Sequence, residues 1–196
     1  MAQKLFLIIF VLILLSPMKL MGDCEKINPC STDQPWSKTV KNLLHQFKQC
    51  KAPIDDRSPC NYFLSRALEI IYKVTDFKNE GDSSKPYFTA NEIEKFVEGN
   101  PGIWENLGLA TNQKVLDKAQ KQANLLKAVI AVIGGSPHGH VAIIIPGDIR
   151  ASGNWSLDVP CSACFFFDKP LKSFVGCPLS YAFESPSNVT IYSRRF

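Results

Sequence analysis

The sequence lacks the motifs of several common enzyme classes. It contains no Gly-x-Ser-x-Gly elbow, no Gly-rich phosphate loop and no His-Glu-x-x-His zinc motif. Histidine is scarce, with three residues in the chain, which disfavours a histidine-rich metal site. No stripe of lysine and arginine interleaved with aromatic residues is present, so nothing indicates nucleic-acid binding. These absences disfavour serine hydrolases, nucleotide-dependent enzymes, zinc peptidases and nucleic-acid-binding proteins.

The chain also lacks an apolar run long enough to span a membrane. Its N-terminal apolar run follows Lys4 and covers residues 5–15, whereas a transmembrane helix needs about 20 residues. A basic start, a short apolar run and the small residue Gly22 predict a signal peptide over residues 1–22. We therefore expect a secreted or periplasmic protein without stable membrane insertion, with residues 23–196 as a single domain. An uncleaved membrane anchor is the less favoured alternative.

The mature chain is expected to be weakly basic. Loss of the two lysines in the predicted signal peptide lowers the formal net charge from +4 to +2. This charge is compatible with an anionic polymer such as a bacterial cell wall but does not require one.

Cysteine is abundant, and its count is informative. An odd count in an exported protein predicts one free thiol and up to three disulfides. Three cysteines lie near each end of the mature chain, so at least one bridge is expected to join the two ends. The Cys161–Cys164 pair also has the form of half a zinc site, although an oxidising compartment favours disulfides. The seven cysteines are residues 24, 30, 50, 60, 161, 164 and 177.

The apolar pattern changes from helical to strand-like along the chain. Helices are predicted over residues 36–50, 60–74 and 112–126, and after a capping box formed by Thr89 and Glu92. Short β-branched runs at 128–133 and 141–145 predict two central strands, and 155–159, 163–167 and 189–192 are weaker candidates. Helices followed by strands in one domain predict an α+β fold.

One cysteine and one histidine stand in contexts that favour nucleophilic catalysis. Ser58 as N-cap and Pro59 as the first helical residue place Cys60 in the first turn of a helix, where the helix dipole favours a thiolate. His140 begins a predicted strand, and Gly139 before it permits a close approach of backbone or substrate. The hypothesis is a cysteine hydrolase with Cys60 as nucleophile and His140 as base. A bridged Cys60 and an ordinary structural His140 remain open alternatives.

These two contexts resemble those of a known enzyme family. Cys60-Asn61-Tyr62-Phe63 at a helix start and Gly139-His140-Val141-Ala142-Ile143 at a strand start resemble the CHAP and NlpC/P60 cysteine amidases, which include amidase effectors that bacteria inject into rivals. The resemblance implies a papain-like fold, with N-terminal helices packed on a small antiparallel sheet and no cofactor. It also implies peptidoglycan stem peptides as substrate and an immunity or inhibitor protein as a further partner.

The family usually has a third polar residue that orients the imidazole. If residues 141–145 pair with residues 155–159, this position falls near residues 158–162. Asp158, Cys161 and Ser162 are the polar residues there, and the sequence does not choose among them.

The sequence thus predicts a secreted, cell-wall-lytic cysteine amidase with Cys60 and His140 as catalytic residues. One alternative is a secreted, disulfide-stabilised binding protein without catalysis, in which Cys60 is bridged. Another is a papain-like protease that acts on protein substrates. The sequons at Asn154 and Asn188 would be used only in a eukaryotic secretory route, so they do not distinguish among these functions.

Overall fold

A computed structural model describes residues 24, 29–30, 34–49 and 60–195, without the side chains of Cys60 and Asn61. The described chain has four α-helices and a six-stranded antiparallel sheet, which confirms the predicted α+β class. The predicted signal peptide, residues 1–22, lies outside the described residues. Within the described ranges, no helix has both the length and the apolar character needed to cross a membrane.

All four described helices were predicted from the sequence. The box that begins α3 forms as expected: Thr89 Oγ1 accepts a hydrogen bond from the Glu92 N–H at 3.3 Å, and the Glu92 carboxylate accepts one from the Thr89 N–H at 2.6 Å. At α4, the side chain of Asn112 caps the helix by accepting from the Lys114 N–H at 3.0 Å. The helices are α1 (Ser37–Lys48), α2 (Cys60–Tyr72), α3 (Ala90–Gly99) and α4 (Gln113–Asn124).

The large sheet has the strand order β1-β8-β2-β3-β6-β7, and every neighbouring pair is antiparallel. The β-branched runs predicted as central strands are β2 and β3, which form a hairpin in the middle of the sheet. A separate two-stranded sheet joins β4 and β5. The strands are β1 (Trp104–Leu109), β2 (Val129–Ile133), β3 (His140–Ile144), β4 (Arg150–Ser152), β5 (Leu157–Val159), β6 (Cys161–Cys164), β7 (Phe174–Pro178) and β8 (Thr190–Arg194).

The pairing of residues 141–145 with residues 155–159, from which the position of the third polar residue was estimated, does not form. Strand β3 pairs with β6, with Ile143 opposite Ala163, whereas β5 pairs with β4. Strand β5 does not pair with β3, because the chain that follows β3 forms a short hairpin in which β5 pairs with β4. The next strand along the chain, β6, is therefore the one beside β3.

The sheet separates two apolar layers. In the first layer, α1, α2 and α3 pack on one face together with Val141, Ile143 and Ile145. In the second layer, α4 and the 179–183 segment pack on the other face together with Ala142 and Ile144. Alternation along β3 therefore decides which layer each of its side chains enters.

A disulfide joins the two ends of the described chain. Cys24 is bonded to Cys177 on β7, with the Cα atoms 5.8 Å apart. This confirms the prediction that at least one bridge links the N-terminal and C-terminal cysteine groups. Cys30 and Cys161 are buried free thiols.

Candidate functional site

Helix α2 carries the predicted nucleophile. This helix is described from Cys60 to Tyr72, in agreement with the helix predicted over residues 60–74. The expected capping residues Ser58 and Pro59 and the side chain of Cys60 lie outside the described part of the chain. The thiolate predicted for Cys60 therefore stays a prediction.

His140 is the first residue of β3, also as predicted, and the residue as a whole is half-buried. The ring stacks on Phe166 with centroids 4.9 Å apart and meets Phe183 edge-on at 5.2 Å. Its Nε2 atom is hydrogen-bonded to the sulfur of Cys164 at 3.0 Å. Two aromatic rings and a thiol thus fix the orientation of the imidazole.

The loop between β2 and β3 is held in place by α3. The Asn91 side chain donates to the Gly135 carbonyl at 2.9 Å and accepts from the Gly135 N–H at 3.3 Å. A Cβ atom on Gly139 would lie 2.7 Å from the Ile133 carbonyl oxygen and would also collide with the Asn91 amide. The close approach predicted at Gly139 is therefore made by the protein itself, immediately before His140.

Burial keeps the His140 ring neutral. Desolvation lowers the pKa of His140 to about 4, and the negative charge of Asp168 opposes this effect only in part. The Cys164 thiol is almost fully buried and also lies 3.8 Å from the Val141 carbonyl oxygen. At neutral pH the site holds an uncharged imidazole, which is the form that accepts a proton.

His140 and α2 lie on opposite faces of the sheet but at the same end of it. The ring contacts Phe183 and Cys164 of the second layer, whereas α2 packs in the first. Near the start of α2, Phe63 contacts Phe165, which adjoins the Phe166 that stacks on His140. At the far end of α2, Tyr72 donates to the Ile144 carbonyl at 3.1 Å. Helix α2 therefore begins near the start of β3.

None of the three suggested orienting residues contacts His140. Asp158 is exposed, and its backbone N–H and carbonyl bond to Gln113. Ser162 donates to the Cys177 carbonyl at 2.9 Å, and Cys161 enters the first layer. The polar side chain that contacts the imidazole is that of Cys164, which was missed because residues 141–145 were paired with the wrong strand. The register of β3 with β6 places residue 164 opposite residue 142, on the face that His140 uses.

No donor set for a metal ion is formed by the described side chains. They include no group of three or more His, Cys, Asp or Glu residues arranged to hold one. Cys161 and Cys164 enter different layers, so this pair does not provide half of a zinc site.

An open groove lies at the other end of β3, away from His140. It is lined by residues of α4, including Asp117 and Asn124, and by Gly147 and Asp148. The Asn124 amide closes part of it by bonding to both the N–H and the carbonyl of Gly147. This groove holds neither predicted catalytic residue.

Comparison with known proteins leaves the family open. A scan against protein-family models finds no match, and a search of curated proteins finds none either. The resemblance to the CHAP and NlpC/P60 amidases therefore rests on the two short motifs around Cys60 and His140.

Proposed function

We propose that the protein is a secreted cysteine hydrolase that cleaves amide bonds in the peptide stems of peptidoglycan. The observation that supports this proposal best is that α2, which carries Cys60, begins near the start of β3, the strand that begins with His140. A papain-like arrangement of helix and sheet is part of the proposal. An immunity or inhibitor protein is the expected macromolecular partner.

In the proposed reaction, the proton of the Cys60 thiol passes to His140. The Cys60 sulfur then attacks the scissile carbonyl carbon, and His140 returns the proton to the leaving amine as the C–N bond breaks. Water, deprotonated by His140, attacks the thioester and releases the carboxylic acid, which regenerates the Cys60 thiol. The backbone N–H groups of the first turn of α2 have no partner within the helix and are the proposed oxyanion donors.

Cys164 is assigned a positioning role and not that of the nucleophile. With 1% of its surface exposed, it offers no path for a polymeric substrate to its sulfur. Its contact with Nε2 holds the His140 ring towards the second layer. Because the ring faces away from α2, the proposed reaction requires it to turn from Cys164 towards the Cys60 sulfur near the start of β3.

Export is proposed from two features. Residues 1–22 have the pattern of a signal peptide, and the Cys24–Cys177 disulfide is typical of proteins that fold in an oxidising compartment.

The direct test is digestion of purified peptidoglycan followed by mass analysis of the fragments. Wild type is expected to release peptide fragments, while Cys60→Ala and His140→Gln lose at least 100-fold in rate, on the order of a general-base contribution. His138→Gln is the matched control, because His138 is exposed in the same loop and should retain activity. No fragment from wild type, or equal release by Cys60→Ala, would reject the proposal. Release of peptides from a denatured protein substrate alone would instead assign a papain-like protease.

A second candidate is a disulfide-stabilised binding protein without catalysis. The packing of His140 between Phe166 and Phe183, facing away from α2, favours this alternative because a core histidine has similar surroundings. Alkylation of the native protein distinguishes the two functions. Labelling at Cys60 supports the hydrolase, whereas a disulfide at Cys60 supports the binding protein.

A further inference from the structure

Two thiols meet in the first layer of the core. Cys30 and Cys161 are both buried there, and neither is bonded to another cysteine. The Cys161 thiol is hydrogen-bonded to that of Cys30. Two free thiols in contact are uncommon in a protein that already contains a disulfide, because the conditions that form one bridge also oxidise an adjacent pair.

The backbone holds both residues at the edge of the sheet. The Cys30 N–H donates to the Gly176 carbonyl on β7 at 2.9 Å. Cys161 lies on β6, the only neighbour of β7 in the described sheet, and pairs with Pro178. Main-chain hydrogen bonds therefore hold the two cysteines next to each other, so the contact between their sulfurs does not depend on side-chain rotamers alone.

The existing disulfide lies on the opposite face of the same edge. Cys24 and Cys177 belong to the second layer, whereas Cys30 and Cys161 belong to the first. Cys24 and Cys30 thus lie on the two sides of β7. An edge strand carries unpaired backbone groups that invite pairing with other chains, and proteins commonly cover such edges.

We propose that Cys30 and Cys161 are the site of a second disulfide, which together with Cys24–Cys177 clamps the N-terminal segment onto both faces of strand β7. The oxidant is a disulfide, either oxidised glutathione or the active-site disulfide of a thiol oxidoreductase. One cysteine thiolate attacks this disulfide and forms a mixed disulfide as the first thiol of the oxidant leaves. The second cysteine then attacks the mixed disulfide, forms the Cys30–Cys161 bond and releases the other thiol. Two electrons and two protons pass from the protein to the oxidant.

The bond is expected to form during folding. Burial raises the pKa of the Cys161 thiol, and the contact with Cys30 raises it further, so little thiolate exists once the core has closed. Oxidation should therefore be fast during refolding in a glutathione buffer and at least tenfold slower when the reduced protein has already folded.

Mapping the disulfides of the full protein after refolding in this buffer tests the proposal. The sample is alkylated with N-ethylmaleimide under denaturing, non-reducing conditions, digested and analysed by mass spectrometry. We expect one peptide pair joined through Cys30 and Cys161 and a second joined through Cys24 and Cys177. Alkylation of both Cys30 and Cys161 with the Cys24–Cys177 bond intact would overturn the proposal. A bond from either of them to Cys50 or Cys60 would also overturn it.

Two variants provide the matched comparison. Cys30→Ser should leave Cys161 alkylated under the same conditions and lower the urea midpoint of the oxidised protein. In the same comparison, Cys164→Ser should keep the Cys30–Cys161 peptide pair, because Cys164 enters the other layer. Loss of that pair in Cys164→Ser would contradict the assignment. If either variant fails to fold, the disulfide map of the wild-type protein alone tests the proposal.

Discussion

At the scale of single residues, the surroundings of His140 combine two opposing demands. A general base must be neutral before it accepts a proton, which desolvation favours, but its pKa must also lie near the working pH, which desolvation opposes. His140 is half-buried at the first position of its strand, so one side of the ring contacts Phe166 and Cys164 while the end of the strand borders solvent. The same desolvation makes the stability of the folded protein depend on pH.

Stability should fall as the pH is lowered from about 6.5 to about 4. The pKa of His140 is lowered from 6.5 to about 4 in the folded protein, so the unfolded chain binds a proton in this window and the folded chain does not. The stability that depends on an uncharged His140 is fully present above pH 6.5 and is lost as the pH falls through the pKa of His140 in the folded protein. Its upper limit is about 3 kcal/mol in the free energy of unfolding.

Urea unfolding at a series of pH values measures the contribution of His140 to stability. His140→Gln should remove this contribution, whereas the carboxylates should keep theirs. His45→Gln, at an exposed position of α1, serves as the control and should follow the wild type. Parallel curves for wild type and His140→Gln would contradict a desolvated histidine.

Sequence patterns located the residues of the candidate site but not their partners. Cys60 lies in a helix and His140 begins a strand, as the local signals predicted. The layer that His140 enters depends on which helices cover each face of β3, and this is decided by contacts distant in sequence. Cys164 was missed for the same reason, since its closeness to His140 depends on the pairing of β3 with β6.

At the scale of elements, the strongly periodic segments were predicted well, and the weaker candidates at 155–159, 163–167 and 189–192 overlap β5, β6 and β8, whereas β1, β4 and β7 were missed. The helices and the two β-branched central strands follow local patterns that tertiary contacts reinforce. Strand β1 was not predicted, because its apolar alternation is broken at Gly108, where the pairing with β8 shifts register. Strand β7 contains glycine and proline, which local propensity disfavours, and it forms at the edge of the sheet.

The loop that precedes β3 should not tolerate a side chain at position 139. In Gly139→Ala, the new Cβ would meet the Ile133 carbonyl oxygen at 2.7 Å and also collide with Asn91, so the backbone must shift. We expect a loss of about 1–3 kcal/mol in the free energy of unfolding, as for other overpacked sites.

Gly102→Ala is the matched control for this change, because a Cβ there meets no atom within 4 Å. Its expected effect is within about 0.5 kcal/mol of wild type. Urea denaturation of the two variants measures the difference, and equal midpoints would show that the loop has room for a methyl group.

At the scale of the whole molecule, one carboxylate connects distant parts of the chain. Asp76, in the turn after α2, accepts from Arg194 Nε at 2.7 Å and from Arg194 Nη2 at 3.1 Å. It also accepts from the indole N–H of Trp104 at 3.1 Å. Trp104 is fully buried on β1 and stacks on Phe77 at 5.2 Å. The helical N-terminal half and strands β1 and β8 are thus joined at a single side chain.

Removal of this carboxylate should destabilise the fold more than removal of a surface charge. Asp76→Ala leaves a buried indole N–H and a partly buried guanidinium without their acceptor, at a cost of about 2–3 kcal/mol in the free energy of unfolding. Asp76→Asn keeps an acceptor for Trp104 and should lose less. Asp148→Ala breaks an exposed pair with Arg150 and should cost below about 1 kcal/mol. Urea unfolding followed by tryptophan fluorescence ranks the three variants, and equal losses for Asp76→Ala and Asp148→Ala would show that the Asp76 contacts do not couple the two halves of the fold.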